Sequence, residues 1–296
     1  MSIGHASRSL HARGRDRLRS VAVSGFERYG SLTSGARILP SFLIVGAQRG
    51  GTNSLYQYLS DHPGVARAQP GQEVHYFDDG YHHGLDWYRG HFPTRRRVET
   101  AEALAGVPAI TGESSPYYLF HPLAQERIAR TLPSVKLIVL LRDPVDRAFS
   151  HYQHARARGY ETLSFEEALA VEPARLAGEE DRIISQSPAY ASGDHRHRSY
   201  LSRGMYAEQL ERLFRWVPRE RVKVIISERL FTRPEVVGPE TLRFLGLSTR
   251  FAGSYSQQNS GRYRDRLDPS LRRHLEDRFA GSNERLARLL DEHIPW

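Results

Sequence analysis

The stretch FLIVGAQRGGTNSL, residues 42–55, constrains the fold of this chain more than any other. An apolar run leads directly into a loop with three glycines and then into a helical pattern, which predicts a strand, a tight turn and a helix. This order points several backbone N–H groups and the positive end of a helix dipole at one position. The sequence therefore predicts a loop that binds an anion, and a phosphate is the first candidate.

The loop lacks the signature of loops that bind nucleoside triphosphates, G-x-x-x-x-G-K-[ST]. Gly46 and Gly51 have the required spacing, but Thr52 stands at the position of the lysine, and the cation of the loop is Arg49. The lysine of that signature reaches the outer phosphates. Its replacement by threonine favours a ligand with a single phosphate at this loop over a triphosphate.

Two more apolar runs predict buried strands, because residues 135–141 and 221–227 are rich in β-branched side chains. Apolar residues at helical spacing precede each of them, at residues 123–132 and 205–217. Strands that alternate with helices predict an α/β fold, here a P-loop-type central parallel sheet flanked by helices on both faces.

The two ends of the chain carry different patterns. Residues 1–37 are rich in arginine and lack the long apolar run of a signal peptide or membrane span, so we expect a basic leader that is flexible or loosely docked. Residues 38–296 are expected to form a single domain. Near its end, Asp268 and Pro269 predict the start of one or two helices interrupted at Gly281.

Composition limits the chemistry of the chain. Its formal net charge of +8 arises from 42 basic and 34 acidic residues and is compatible with an anionic cofactor or substrate. The sequence contains no cysteine, which excludes disulfides, thiolate metal sites and cysteine nucleophiles. A reducing, cytoplasmic location fits this composition best.

A second anion motif is predicted in VLLRDPVDRAFSHYQHARARG, residues 139–159. The strand ends at Arg142, a helix starts at the following Asp-Pro pair, and Ser150 lies about two turns into that helix. Ligands of open parallel sheets bind at the carboxyl ends of the strands, so Arg142 and the loop with Arg49 are expected at one edge. The alternative is that Arg142 pairs with Asp143 or Asp146 as ordinary surface charge.

These motifs resemble those of sulfotransferases that use 3′-phosphoadenosine-5′-phosphosulfate. FLIVGAQRGGTNSLYQYLSDHPGV is similar to the family's 5′-phosphosulfate loop, and VKLIVLLRDPVDRAFSHYQH is similar to its 3′-phosphate motif. The similarity continues in order through GQEVHYFD, GLDWYRGHFP, GESSPYYLF, GMYAEQLERLF and SGRYRDRL, over most of residues 41–265. These motifs are most similar to those of the heparan-sulfate and bacterial carbohydrate branch of the family.

The resemblance implies a set of residues that bind the donor. Arg49 stands where the family commonly has a lysine that contacts the leaving phosphate, and arginine keeps the charge but does not readily donate a proton. Arg142 and Ser150 are implied to bind the 3′-phosphate. The remaining implied contacts are the phosphate cradle Gly50, Gly51, Thr52, Asn53 and Ser54 and a late loop with Gly261 and Arg262.

Transfer of a sulfuryl group to a hydroxyl also requires a base. Glu73 in GQEVHYF stands at the position of the glutamate that acts as base in the heparan-sulfate branch. Other branches use a histidine, so His75 is the rival. Two departures argue against a heparan-type acceptor: Ser114 stands where those enzymes commonly have a lysine, and the cysteine pair of the animal enzymes is missing.

Two further segments carry suggestive residues. In SGDHRHRSY, residues 192–200, His195 and His197 form an H-x-H pair, which without a third ligand predicts a solvated loop and no metal site. In HARARG, residues 154–159, the basic residues continue the helix of the 3′-phosphate motif. They are expected to be solvated or to contact an acceptor anion, and no nucleic-acid partner is predicted.

The sequence thus predicts a sulfotransferase that transfers a sulfuryl group from 3′-phosphoadenosine-5′-phosphosulfate to a hydroxyl of a carbohydrate or glycosylated small molecule. Its expected product is adenosine 3′,5′-bisphosphate, and no metal or transmembrane segment is implied. The alternatives are a divergent P-loop kinase, which would require a triphosphate and Mg²⁺, and a non-catalytic polyanion-binding module.

Overall fold

A four-stranded parallel sheet forms the centre of the computed structural model, which describes residues 24–251, 253, 255 and 267–296. Its strand order is β2-β1-β3-β4. The predicted parallel sheet is confirmed, and three of its strands lie where the apolar runs predict them. The strands are β1 Phe42–Gly46, β2 Gly112–Ser114, β3 Lys136–Leu141 and β4 Val222–Ile226.

Helices follow or precede each strand, and both helices predicted from apolar spacing before β3 and β4 are confirmed. The α-helices are α1 Thr52–Ser60, α2 Leu85–Arg89, α3 Arg95–Ala105, α4 Ala124–Thr131, α5 Pro144–Ala157, α6 Phe165–Leu176, α7 Glu179–Gln186, α8 Gly193–His197, α9 Tyr206–Trp216, α10 Ser227–Thr232, α11 Pro234–Leu245 and α12 Pro269–Leu290.

Both faces of the sheet are buried at its centre, which explains why β1 and residues 137–141 of β3 are continuously apolar. Successive residues of β1 point to opposite faces: Leu43 packs with residues of α4, α9 and α12, whereas Ile44 packs with residues of α1 and α11. Helices therefore cover both faces, as the sequence predicts. The carboxyl ends of β1 and β3 meet at the same edge because the two strands are parallel neighbours.

The C-terminal helix differs from its prediction. Asp268 caps α12 by accepting hydrogen bonds from the N–H groups of residues 270 and 271, and Pro269 is its first residue, as predicted. The interruption predicted at Gly281 is wrong, because α12 continues to Leu290. A glycine in an exposed helix costs only about 1 kcal/mol, and the buried side chains of Leu275, Phe279 and Leu286 offset that cost.

Residues 24–37, part of the predicted leader, pack against the domain. Residues 24–32 are helical, and a Cβ on Gly30 would meet the carbonyl oxygen of Gly90 at 2.7 Å, so the two backbones are in close contact. Arg37 Nη1 donates to the carbonyl oxygen of Phe92 (2.6 Å). The division at residue 38 stays a prediction. Within the part of the chain that the structure describes, no helix has the length and apolarity to span a membrane.

Candidate active site

The predicted anion loop leaves the carboxyl end of β1 and turns directly into α1. The N–H of Ala47 donates to Leu140 O in β3 (2.7 Å), and the N–H of Gly50 donates to Ala47 O (2.9 Å), which closes the turn. A Cβ on Gly50 would lie 2.9 Å from both of those carbonyl oxygens. Gly51 has φ +94° and would place a Cβ 2.9 Å from the Phe231 ring. Glycine is therefore required at both positions.

The N-terminus of α1 has no capping side chain among the described residues, and Gly51 is its N-cap residue. Thr52, Asn53 and Ser54 form its first turn, where backbone N–H groups lack partners within the helix. These groups and the helix dipole favour an anion at this position. The local geometry therefore fits the phosphate cradle predicted for these residues.

The two predicted phosphate motifs are in contact. Arg49 Nε donates to Ser150 Oγ (3.0 Å), which joins the loop to α5. Arg142 Nη1 lies 3.4 Å from the carbonyl oxygen of Arg49. Among the described residues, the alternative ion pair of Arg142 with Asp143 or Asp146 is represented by one long contact, 3.9 Å between Arg142 Nη2 and Asp146 Oδ2. Arg272 contacts the same carboxylate more closely.

Buried cations surround this contact. Arg147 in α5 and Arg203 are fully buried, and burial lowers the pKa of both guanidinium groups. His151, one residue after Ser150, is also buried, and burial together with Arg203 and Arg147 holds its pKa well below the usual value. This concentration of positively charged side chains beside the loop favours an anionic ligand.

Arg203 supports the loop between β1 and α1 through a side-chain hydrogen bond. The sequence did not predict a role for this residue. Its Nη1 donates to the side-chain oxygen of Gln48 in the loop. Its Nη2 donates to the carbonyl oxygens of His195 and Arg196 (both 2.9 Å). The guanidinium also lies over the ring of Tyr117, 5.0 Å from its centroid. The contacts with Gln48 and Tyr117 join residues that are far apart in the sequence, and no sequence pattern signals them.

Glu73 and His75 belong to one charged group with Asp78. His75 Nε2 lies 3.2 Å from Glu73 Oε2, and His75 Nδ1 lies 2.7 Å from Asp78 Oδ2. Burial alone would lower the pKa of His75, but the charge of Asp78 and hydrogen bonds to both carboxylates outweigh burial and raise the pKa to about 9. The imidazole is therefore protonated at neutral pH.

Glu113 fixes the backbone beside this charged group and was also missed. Its fully buried carboxylate accepts hydrogen bonds from the N–H of Val74 (3.1 Å) and from the hydroxyls of Ser115 (2.6 Å), Tyr88 (2.8 Å) and Tyr118 (3.0 Å). Ser115 Oγ in turn accepts from the N–H of His75 (3.1 Å). The segment that carries Glu73 is thus held to the end of β2, where Ser114 is also fully buried.

The electrostatic surroundings of His154 in α5 include both parts of the candidate site. Burial lowers its pKa, the charges of Arg49 and Arg158 lower it further, and the charge of Glu73 raises it.

Two predictions need comment. The H-x-H pair was predicted to lie in a solvated loop, but this is wrong for His195, which is in α8, is 1% exposed, and has Nδ1 2.7 Å from the Tyr117 hydroxyl. Stacking on Phe120, with ring centroids 4.3 Å apart, accounts for its burial. Gly261 and Arg262 lie outside the described residues.

The family model described as "Sulfotransferase domain" matches residues 39–279. The chain belongs to this family. It is therefore a transferase, and the sulfotransferase fold expected from the sequence is confirmed.

A solved relative is similar over nearly its whole length. The crystal structure of a sulfotransferase from Alicyclobacillus acidocaldarius aligns with a TM-score of 0.62 and 33% identity, and the alignment covers 87% of this sulfotransferase and 98% of that chain.

Curated relatives are longer than this sulfotransferase. It is 34% identical to the heparan sulfate glucosamine 3-O-sulfotransferase 3A1 of Mus musculus over 73% of its own length and 48% of that protein's. It is 32% identical to the bifunctional heparan sulfate N-deacetylase/N-sulfotransferase 3 of Homo sapiens, over 74% and 23% of the two chains. It is 25% identical to the membrane-associated sulfotransferase kil1 of Dictyostelium discoideum, over 87% and 66%. The sulfotransferase thus spans less than two thirds of the length of each of these relatives.

Proposed function

We propose that the chain transfers a sulfuryl group from 3′-phosphoadenosine-5′-phosphosulfate to a hydroxyl of a carbohydrate or glycosylated small molecule. The observation that carries this proposal is the 3.0 Å hydrogen bond from Arg49 Nε to Ser150 Oγ. It brings the 5′-phosphosulfate loop and the 3′-phosphate motif of the family together at one edge of the sheet. A ligand with two separated phosphates fits that arrangement better than ATP does.

The donor, when bound, supplies an activated sulfuryl group on a phosphate that leaves as an anion. The first turn of α1 and the Arg49 guanidinium are suited to neutralise that leaving phosphate, which lowers the barrier as the sulfur–oxygen bond breaks. Arg142 and Ser150 are suited to bind the 3′-phosphate through charge-assisted hydrogen bonds. Gly50 and Gly51 allow the backbone to approach the phosphate closely, because any side chain there would clash.

Glu73 is proposed as the base that accepts the proton of the acceptor hydroxyl while its oxygen bonds to sulfur. Its side chain is 41% exposed, so it is accessible to a substrate. His75 is less suited, because a pKa of about 9 keeps its imidazole protonated at neutral pH. In this proposal His75 orients Glu73 through the 3.2 Å contact between them.

The acceptor is proposed to be a sugar or glycoside because the curated relatives named above include enzymes of heparan sulfate. Ser114 stands where that branch commonly has a lysine, and its buried hydroxyl has no hydrogen-bond partner among the described residues. This departure supports an acceptor other than heparan sulfate. The absence of cysteine supports the proposed cytoplasmic location.

The direct test is an acceptor screen with donor labelled in the sulfuryl group and no added metal. We expect labelled product from at least one sugar or glycoside hydroxyl. The parallel reaction contains Mg²⁺ and ATP labelled in its γ-phosphate. Transfer of labelled phosphate, with none of labelled sulfuryl, would refute the proposal in favour of a kinase.

The role of Glu73 is tested by Glu73→Gln, which keeps the shape and removes the base. Turnover should fall by about 10²–10⁴-fold, while affinity for adenosine 3′,5′-bisphosphate stays near wild type. Glu99→Gln, at an exposed glutamate of α3, is the matched control and should keep full activity. Activity of Glu73→Gln within a few-fold of wild type would show that another group is the base.

A further inference from the structure

A cluster of charged side chains joins the C-terminal helix to the predicted 3′-phosphate motif. Arg272, in the first turn of α12, contacts Asp143 and Asp146 at the start of α5. Leu275 and Phe279 of α12 belong to the same buried apolar cluster as residues of α5. This packing fixes the Arg272 guanidinium over the start of that helix.

Arg272 interacts with both aspartates. Its Nη2 donates to Asp146 Oδ1. Its Nη1 lies 3.6 Å from Asp143 Oδ2 and 3.5 Å from Glu276 Oε1, one turn further along α12. Burial would lower the pKa of Arg272, but the hydrogen bond to Asp146 and the charges of both aspartates outweigh burial and raise it. The guanidinium therefore compensates negative charge at the start of α5.

The two aspartates differ in what holds them. Asp143 Oδ1 caps α5 by accepting hydrogen bonds from the N–H groups of Val145 (2.8 Å) and Asp146 (3.0 Å). The carboxylate of Asp146 lies between two arginines, because its Oδ1 contacts Arg272 and its Oδ2 is 3.9 Å from Arg142 Nη2. A shift of about 1 Å would bring this second pair within hydrogen-bond distance.

A carboxylate paired with Arg142 would compete with an anionic ligand for the same guanidinium. Without Arg272, the charges of Asp143 and Asp146 would also be less compensated, and they would repel a phosphate bound nearby. Both effects act on the 3′-phosphate, because Arg142 is the residue proposed to bind it. A nucleotide without that phosphate would be little affected.

We propose that Arg272 is a positioning residue for the donor, which holds Asp146 away from Arg142 and offsets negative charge beside the 3′-phosphate. This role rests on the proposed function, since it requires that Arg142 bind that phosphate. Arg272 acts through Asp146 and needs no contact with the nucleotide. Selectivity for a 3′-phosphorylated nucleotide thus depends on an ion pair between α5 and α12.

The test compares adenosine 3′,5′-bisphosphate with AMP by titration calorimetry, because the first nucleotide has a 3′-phosphate and the second does not. Arg272→Gln should weaken the binding of the bisphosphate by about threefold to tenfold, as expected for charges that are partly exposed, and leave the binding of AMP nearly unchanged. Addition of Asp146→Asn to this variant removes the competing charge. The double variant should bind the bisphosphate within about twofold of the wild type.

Two more variants serve as controls. Arg285→Gln removes another ion pair of α12, with Glu211 of α9 (2.6 Å between Arg285 Nε and Glu211 Oε1), and should bind both nucleotides like the wild type. Asp146→Asn alone should bind the bisphosphate at least as tightly as the wild type. This variant tests the proposal even if Arg272→Gln does not fold, because weaker binding would show that Asp146 supports the site.

Three results with Arg272→Gln would overturn the proposal. Unchanged selectivity would show that Arg272 does not affect the 3′-phosphate, and equal losses for both nucleotides would indicate a structural role alone. A loss that Asp146→Asn does not restore would mean that Arg272 acts independently of Asp146. Equal affinity of the wild type for the two nucleotides would instead refute the 3′-phosphate site itself, and with it the proposed function, so the two failures are distinguishable.

Discussion

Replacing His75 with glutamine should remove a part of the stability that depends on pH. The pKa of His75 is about 9 in the folded chain against an ordinary value of 6.5. A raised pKa of this kind stabilises the folded state fully below pH 6.5, and that stabilisation is lost as the pH rises through about 9. The difference, 9 − 6.5, at about 1.36 kcal/mol per pH unit, corresponds to about 3 kcal/mol.

The assay is urea unfolding of the wild type and His75→Gln at intervals between pH 6 and 9.5. The wild type should lose about 3 kcal/mol more than the variant over this range, or about 5 °C in melting temperature. Other titrating groups affect both proteins equally, so the difference between the two curves isolates His75. His82→Gln, at an exposed histidine, should follow the wild-type curve.

Parallel curves for the wild type and His75→Gln would refute this reasoning. They would mean that His75 is not charged in the folded state, and that its contacts with Asp78 and Glu73 do not stabilise the imidazolium. The argument that favours Glu73 over His75 as the base would then fail as well, because a neutral His75 is able to accept a proton.

Three further substitutions test separate parts of the site. Arg142→Ala should weaken the binding of adenosine 3′,5′-bisphosphate by about 10–100-fold and leave the binding of AMP nearly unchanged, because a charge-assisted phosphate contact is worth about 1.5–3 kcal/mol. Titration calorimetry with both nucleotides measures these affinities. Equal losses for the two nucleotides would exclude a role of Arg142 in binding the 3′-phosphate. Glu113→Gln replaces one acceptor oxygen by an amide and should cost about 1–3 kcal/mol for each buried donor left unpaired. The melting temperature and the kcat of this variant should both fall, and an unchanged kcat would show that Glu113 does not position the base. Gly51→Ala should lower both stability and bisphosphate affinity, since φ is +94° and the Phe231 ring occupies the space. Gly159→Ala, with φ +74° in open space, should lower stability by only about 1–2 kcal/mol and keep nucleotide binding.

The main elements of the fold were predictable because their signals are local. The strands β1, β3 and β4 lie in largely apolar runs of the sequence, and their flanking helices have a clear apolar spacing. β2 was missed because Gly112–Ser114 is only three residues long and contains no β-branched or aromatic residue. Its pairing with β1 is a tertiary contact, and nothing in the local sequence indicates it.

The candidate site, like the fold, was predictable only in part. Arg142 and the loop with Arg49 were expected at one edge of the sheet, because the carboxyl ends of parallel strands share that edge, and Arg142 Nη1 lies 3.4 Å from the carbonyl oxygen of Arg49. The hydrogen bond between Arg49 and Ser150 was not predicted. The role of Asp78 in raising the pKa of His75 was not predictable, although the two residues are close in sequence. That role depends on the positive φ of His75 and on the complete burial of the Asp78 side chain, which are both products of packing.

Arg203 has a consequence for any attempt to change the acceptor preference by exchanging segments between relatives. Its guanidinium ties α8 and Arg196, which forms an ion pair with Asp79, to Gln48 in the loop that precedes α1. An exchange of residues 192–203 would therefore alter the support of the phosphate loop together with the ion pair between Arg196 and Asp79. We expect a graft to change the acceptor preference without loss of donor affinity if it retains Arg203 and the backbone carbonyls that hold it.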